Sequence, residues 1–469
     1  MSRQKELVKN TLIILIGKIC TQFLSFFLLP LYTAVLNSSE YGIVDLFTTY
    51  VSLLVPLVTL QLANGVFRFL VSNRNSKEDT GKVVTNTIYI IILISFICLI
   101  IICGIDAFIT IPYIEYLIAI TLATIFSNVM LQIARGLGDN IGYSIGSLIA
   151  GGLTVILNVL FLVVLRWGPP GMFLSQALAN FFSGLYISIK ERVYSLIKKR
   201  YINKDVCFDL LRYSVPLIPN SIIWWVINVS DRTLIAIFLG TASNGIYAIA
   251  NKFSSAVMSV YNIFNLSWTE SASLHIIDKD RSEYFTKVFN SSMHLFTSGC
   301  ILITACMPFI FPIMVNNGYQ EAYNYIPILM LGTIFNIIVG LIGAIYIALK
   351  KTKEIATTSI LSGIINFVIN ILLIRIIGLY AAAISTAVAF GAMVIYRYID
   401  VKKYVDLKIK ISTMVATCII LVISFMLYYV KSLPSNTLNV ILAFSFFIIV
   451  NFSMVKSVVS KIKRTILRK

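Results

Sequence analysis

The chain reads as a succession of long apolar stretches separated by short polar clusters. A helix crossing the roughly 30 Å hydrocarbon core of a bilayer needs about 20 apolar residues. Stretches of that kind lie near 11–36, 43–66, 83–105, 116–134, 143–165 and 172–189. A basic segment, 190–212, follows them. A second set lies near 213–239, 246–268, 289–313, 325–348, 355–376 and 380–396, and two more near 411–430 and 438–455. The pattern predicts an all-α polytopic membrane protein with about fourteen transmembrane helices. The expected organisation is a six-helix lobe over 1–190, a basic cytoplasmic linker over 191–212, a second six-helix lobe over 213–397, and two additional helices with a basic tail over 398–469.

Composition narrows the class. Hydrophobic residues make up 58% and charged residues 12%, against about 25% charged in a soluble domain. The net charge of +18 could point to nucleic acid, but the Lys and Arg sit in clusters between apolar runs, as in cytoplasmic loops. With both termini inside, 32 of the 38 Lys and Arg fall on the cytoplasmic side. Arg166, Arg375 and Lys431 fall outside, and Lys18, Arg232 and Lys252 lie within spans. The opening MSRQKELVKN leads into an apolar run that continues to Leu36 with no small-residue cleavage site. It reads as a first span rather than a signal peptide. The seven Cys and two His follow no metal or disulfide spacing. No P-loop is present, and GLGDNIG (136–142) has the wrong spacing for a dinucleotide loop. A transporter without a bound cofactor is expected, rather than an enzyme.

An internal repeat accompanies this layout. LYTAVLNSSEYGIVDLF (31–47) matches LIAIFLGTASNGIYAIA (234–250), and ARGLGDNIGYSI (134–145) aligns with ALKKTKEIATTS (348–359). Asn158 falls on Asn370 and Gly168 on Gly378, while Arg166 and Arg375 close corresponding helices. An offset of six helices preserves orientation, so the two lobes are expected to be related by an axis along the membrane normal.

A charge at the bilayer centre costs about 2.5–3.5 kcal/mol on insertion scales. Such residues persist where they face a wet cavity or a partner. Lys18, Asp45, Asp231, Arg232 and Lys252 qualify, and the repeat places them on the first two helices of each lobe. At helical spacing, Lys18, Gln22 and Ser25 share a face, as do Asp45, Thr49, Ser52, Pro56 and Thr59. Asn220, Trp224, Asn228 and Asp231 line up on the seventh helix, and Asn251, Ser255, Met258, Asn262 and Asn265 on the eighth. Four polar stripes imply a hydrated groove, since lipid-facing surfaces are apolar. The plain alternatives are that Lys18 snorkels, that Asp45 merely starts its helix where an acid suits the dipole, and that Arg232 and Lys252 anchor at the outer interface. Trp224 and Trp225 are either sugar-stacking platforms or ordinary packing.

The stretch RYSVPLIPNSIIWWVINVSDRTLIAIFLGTASNGIYAIANKFS (212–254), with Pro216, Pro219, Asp231-Arg232, Leu239-Gly240 and Gly245-Ile246-Tyr247, resembles helices seven and eight of bacterial polysaccharide flippases. So does LPLYTAVLNSSEYGIVDL for the opening helix. These flippases, which serve O-antigen, capsule or exopolysaccharide assembly, are a branch of the multidrug/oligosaccharidyl-lipid/polysaccharide exporter superfamily. The resemblance implies two pseudo-symmetric six-helix lobes around a central cleft, lined by helices one, two, seven and eight. It also implies translocation of a polyprenyl-pyrophosphate-linked oligosaccharide across the bacterial cytoplasmic membrane by alternating access. Lys18, Arg232 and Lys252 are then expected to meet the pyrophosphate, with Asp231, Asp45, Asn228, Trp224 and Asn251 beside them. A proton or sodium gradient is the expected power source. The expected partners are the lipid-linked glycan, membrane lipids and other polysaccharide-assembly proteins, with no nucleic acid. A peptidoglycan-precursor flippase and a multidrug cation antiporter share this fold. A membrane glycan polymerase would need a large external loop, and none is long enough here.

Overall fold

The computed structural model describes residues 26–108, 112–452 and 456. Among them all regular structure is helical, and eleven helices are long and apolar enough to cross a membrane. The chain is a multi-pass membrane protein. The first expected span falls mostly outside the described residues. The expected seventh and eighth spans exist as helices, Ile218–Leu239 and Thr241–Leu274.

The chain divides into two compact units, one ending at Thr233 and one starting at Leu234. The first holds α1 (Leu29–Val35), α2 (Ser38–Val58), α3 (Leu62–Asn73), α4 (Lys77–Phe108), α5 (Ile114–Leu137) and α6 (Asn140–Asn158). After α6 come a π-helical stretch (Val159–Val164), α7 (Pro169–Lys190), α8 (Val193–Leu196), α9 (Lys204–Ser214) and the start of α10 (Ile218–Leu239). The segment 190–212, expected as a loop, is thus partly helical. The second unit holds α11 (Thr241–Leu274), α12 (Arg281–Met314), α13 (Ile326–Ala348), α14 (Thr352–Ile377), α15 (Tyr380–Val401), α16 (Ile411–Val430) and α17 (Leu433–Val450).

Local chemistry sets the element ends. Asn37 and Glu40 form a capping box at the start of α2, with both bonds at 2.9 Å. The box satisfies two backbone donors that helical bonding leaves orphaned. The core of the first unit sits between α3, α4, α5 and α7, where Leu62, Val66, Leu70, Val84, Ile133 and Ile187 are fully buried. In the second unit α13 is the central helix, with Leu341, Ile342, Ile345 and Tyr346 fully buried. The added pair α16 and α17 packs on α12 through Ile301, Ala305, Ala443 and Phe446.

The span expected over 43–66 is broken. Leu60 (φ 46°) and Gln61 (φ 59°) are both left-handed, separating α2 from α3 just after Pro56. No glycine marks the break. Two side-chain-bearing residues in this region cost roughly 1–2 kcal/mol each. Gln61 spends its side chain on Ser221 of α10 and on Asn64 of α3.

Matching backbone turns recur in the two units. Gly168 (φ 63°, ψ −141°) and Gly378 (φ 59°, ψ −135°) adopt the same conformation, which only glycine takes without strain. Gly138 (φ 99°) and Lys350 (φ 59°) are left-handed at equivalent corners. That equivalence moves the pairing of 134–145 with 348–359 by two residues, into the register that Asn158 and Asn370 already define. Ala at Gly168 or Gly378 meets little steric resistance from neighbours. The backbone cost of about 1–3 kcal/mol should therefore appear undiluted, as a lower thermal midpoint in either variant. An unchanged midpoint in both would show that the turns relax.

Candidate functional site

The polar stripe of α2 and the start of α10 meet within the first unit. Because the capping box starts α2 at Ser38, Asp45 lies two turns inside the helix, 8% exposed, rather than at its start. Arg232 donates from Nη1 to Asp45 Oδ1 at 2.8 Å and to Thr49 Oγ1 at 3.4 Å. Trp225 donates from Nε1 to the Thr49 carbonyl at 3.0 Å. The two helices run antiparallel, with Gln61–Ser221 one step further along. Polar links therefore join α2 to α10 at Asp45–Arg232 and Thr49–Trp225, and the break after α2 to α10 at Gln61–Ser221. The Arg232 side chain is 19% exposed, and its Nε is buried without a hydrogen-bond partner among the described residues. Leaving such a donor unpaired costs about 1–3 kcal/mol.

The other expected residues divide as follows. Asp231 is buried next to Arg232. Lys18 and the side chains of Trp224 and Asn228 lie outside the described residues. Asn251 and Lys252 are half-buried on α11 in the second unit. Ser255 and Asn262 of the same stripe are exposed, whereas the opposite face, with Phe253, Val257, Tyr261 and Trp268, is buried. The α11 stripe thus stays accessible while its apolar face packs on the core.

Sequence reasoning missed one buried cation. It ended the twelfth span at 396, which left Arg397 to a cytoplasmic segment, but α15 runs on to Val401 and Arg397 is 3% exposed. Its guanidinium donates to Thr358 Oγ1 at 2.9 Å, to the Val339 and Ile355 carbonyls at 3.2 Å, and to Ser359 Oγ at 3.3 Å. No carboxylate is among these partners. One turn on, Asp400 accepts from Tyr346 at 2.8 Å and pairs with Lys403 at 2.9 Å.

A third charged group lies outside the spans, where the α5–α6 corner meets the end of α7. Lys190 Nζ sits 2.5 Å from Asp139 Oδ2, and Asp139 Oδ1 caps α6 at Gly142 N. Burial, joined by the Asp139 carboxylate, pushes Glu191 up to about 7. Burial also pushes Asp139 up, but Lys190, Gly142 N–H and Glu191 together carry it below the usual carboxylate range. The folded chain therefore holds the Glu191 proton more tightly than the unfolded chain does. This contribution to stability is present below the ordinary glutamate range and is lost as pH rises toward about 7. Glu191→Gln is expected to raise the thermal midpoint at about pH 7.5 and leave it little changed at about pH 4.5. Equal effects at both pH values would contradict this assignment.

Residues 7–268 match the model of a family described as polysaccharide biosynthesis proteins. Among solved structures, the chain is similar to the lipid II flippase MurJ in an inward closed conformation. The TM-score is 0.72 at 15% identity, covering 96% of this chain and 100% of that one. It is also similar to an inward-facing multidrug resistance MATE family transporter of the MOP superfamily (TM-score 0.66, 13% identity, 83% and 98% covered). The outward-facing conformation of such a transporter gives a TM-score of 0.56 at 12% identity, with 84% and 96% covered. No curated protein matches the sequence significantly. At such identities the structural likeness speaks for the fold, and the family match, which spans more than half the chain, speaks for kinship. The chain belongs to the polysaccharide biosynthesis protein family and has the fold of MOP-superfamily transporters.

Proposed function

We propose that the protein is a flippase that carries a polyprenyl-pyrophosphate-linked oligosaccharide from the inner to the outer leaflet of a bacterial cytoplasmic membrane, with both termini in the cytoplasm. The observation that carries this reading is the Arg232 guanidinium, half-buried beside Asp45, with a buried Nε that has no hydrogen-bond partner among the described residues. Guanidinium binds phosphate oxygens in charge-assisted pairs stronger than neutral hydrogen bonds. An arriving pyrophosphate competes with Asp45 for Nη1 and supplies the acceptor that Nε lacks. Lys18 and Lys252 are the further cations of this proposal, with Asn228, Asn251 and Trp224 facing the glycan. The polyprenyl tail remains in lipid. A proton or sodium gradient drives the return, and Asp45 and Asp231 are the acids available to carry the ion. Other polysaccharide-assembly proteins supply and consume the lipid-linked glycan.

The fold shared with a lipid II flippase along nearly the full length of both chains favours a peptidoglycan precursor as the second reading. A drug–cation antiporter is less well supported, because Asp45, the acid a cation would seek, is already neutralised by Arg232. The deciding experiment is complementation in two hosts, one lacking its surface-polysaccharide flippase and one depleted of its lipid II flippase. Rescue of surface glycan alone supports the first reading. Rescue of viability in the depleted host alone replaces it with the second.

A further inference from the structure

A lateral apolar trough of about 490 Å³ opens between α4, α5 and α7 of the first unit. Phe96 and Leu99 of α4 and Leu122 and Phe126 of α5 line it, and Tyr194 and Ile197 stand at one end. From Ile88 to Leu99 α4 rises about 16 Å at 1.5 Å per residue. That is about half the roughly 30 Å hydrocarbon core, or one leaflet. The trough is open at its side, where Ile92 and Phe96 are 64% and 60% exposed.

The end with Tyr194 carries the strap that follows α7. Its backbone is fixed on α4. Thr85 Oγ1 donates to the Leu196 carbonyl (3.1 Å) and accepts from Lys198 N (3.3 Å). Asn86 donates to the Tyr201 carbonyl (2.8 Å) and accepts from Asn203 N (2.9 Å). The strap then presents Lys198, Lys199 and Arg200, all exposed and none in an ion pair among the described residues. The nearby acids Glu78 and Asp79 are occupied by Lys82, at 2.9 and 3.6 Å. The positive-inside rule makes this the cytoplasmic end.

We infer that trough and strap together form a site for one anionic glycerophospholipid of the cytoplasmic leaflet. An acyl chain lies in the trough, and the headgroup phosphate rests on Lys198, Lys199 and Arg200. The length of the trough fits one leaflet, and the cations sit where a headgroup would. Because the strap is hydrogen-bonded in place, these cations are presented without the entropy cost of ordering a loose loop. A zwitterionic headgroup brings its own cation toward the same three and is disfavoured.

The test uses the full-length chain in detergent, titrated with phosphatidylglycerol, phosphatidylcholine or a polyprenyl phosphate. Retained lipid is read by native mass spectrometry and stabilisation by thermal midpoint. Phosphatidylglycerol is expected to be retained in preference to phosphatidylcholine. The preference should fall by about fivefold for each cation removed, and vanish in Lys198→Gln/Lys199→Gln/Arg200→Gln. Ser95→Trp, which fills the trough, should lower retention of both phospholipids. Equal retention of the two by the native chain, or a preference that survives in the triple variant, overturns the headgroup site. Full retention in Ser95→Trp overturns the trough as its seat. Preference for polyprenyl phosphate over phosphatidylglycerol overturns the assignment to a phospholipid.

Discussion

Arg232→Ala is expected to abolish rescue of surface glycan and to lower the thermal midpoint. The double variant Asp45→Ala/Arg232→Ala is expected to restore the midpoint but not the rescue. Removing one member of a buried ion pair strands the other charge, at a cost of roughly 3–5 kcal/mol, whereas removing both is often neutral. The exposed fifth of the Arg232 side chain places this pair toward the lower end of that range. Transport follows a different logic. If the guanidinium receives the pyrophosphate, losing both charges is as harmful as losing one. A double variant that recovers both stability and rescue would reduce the pair to a structural clamp between α2 and α10.

Arg397→Leu carries the largest expected loss of stability. The leucine removes every donor that Thr358 Oγ1, Ser359 Oγ and the Val339 and Ile355 carbonyls share with the guanidinium. Each hydrogen bond to a charged group contributes about 1.5–3 kcal/mol. Even partial compensation leaves a loss above about 4 kcal/mol, at the extreme of what single substitutions do. Arg397→Lys should recover only a minor part, because one ammonium cannot span acceptors on both α13 and α14. The check is thermal unfolding together with the amount of folded protein in the membrane. A native midpoint in Arg397→Leu would mean that water replaces the guanidinium without penalty.

The spans were readable because each needs about 20 apolar residues and because basic clusters separate them. Asp45 was readable as a charge in an apolar run, but its depth was not. That depth follows from a capping box whose N-cap, Asn37, lies six residues before the expected start of the span. Arg397 was hidden by company, since YRYIDVKK looks like one more basic cytoplasmic cluster. Its burial depends on hydroxyls and carbonyls contributed by α13 and α14, and no spacing within its own helix signals them. The break at Leu60–Gln61 carries no glycine, so local propensity favours a continuous helix there. It is stabilised by Ser221, a residue 160 positions away. Contacts of that range are decided by tertiary packing and leave no local trace.

One difference between the repeats records how the chain tolerates a change of length. Asn140 to Asn158 and Thr352 to Asn370 are equally long, yet ten residues lead from Asn158 to Gly168 and eight from Asn370 to Gly378. Both ends of the longer interval are pinned: Asn158 receives no slack because it is 1% exposed and bonded to Tyr32 at 2.7 Å, and Gly168 is fixed by its backbone. The two extra residues are taken up between the pins, by the π-helical turns over Val159–Val164 and by Arg166 in a left-handed conformation (φ 55°). The extra length is therefore taken up by a change of helical pitch together with the three irregular residues 165–167, where the twin runs helically up to Gly378. Excising two residues from 159–166 should return this helix to the regular α-form of its twin, and the shortened protein should still fold.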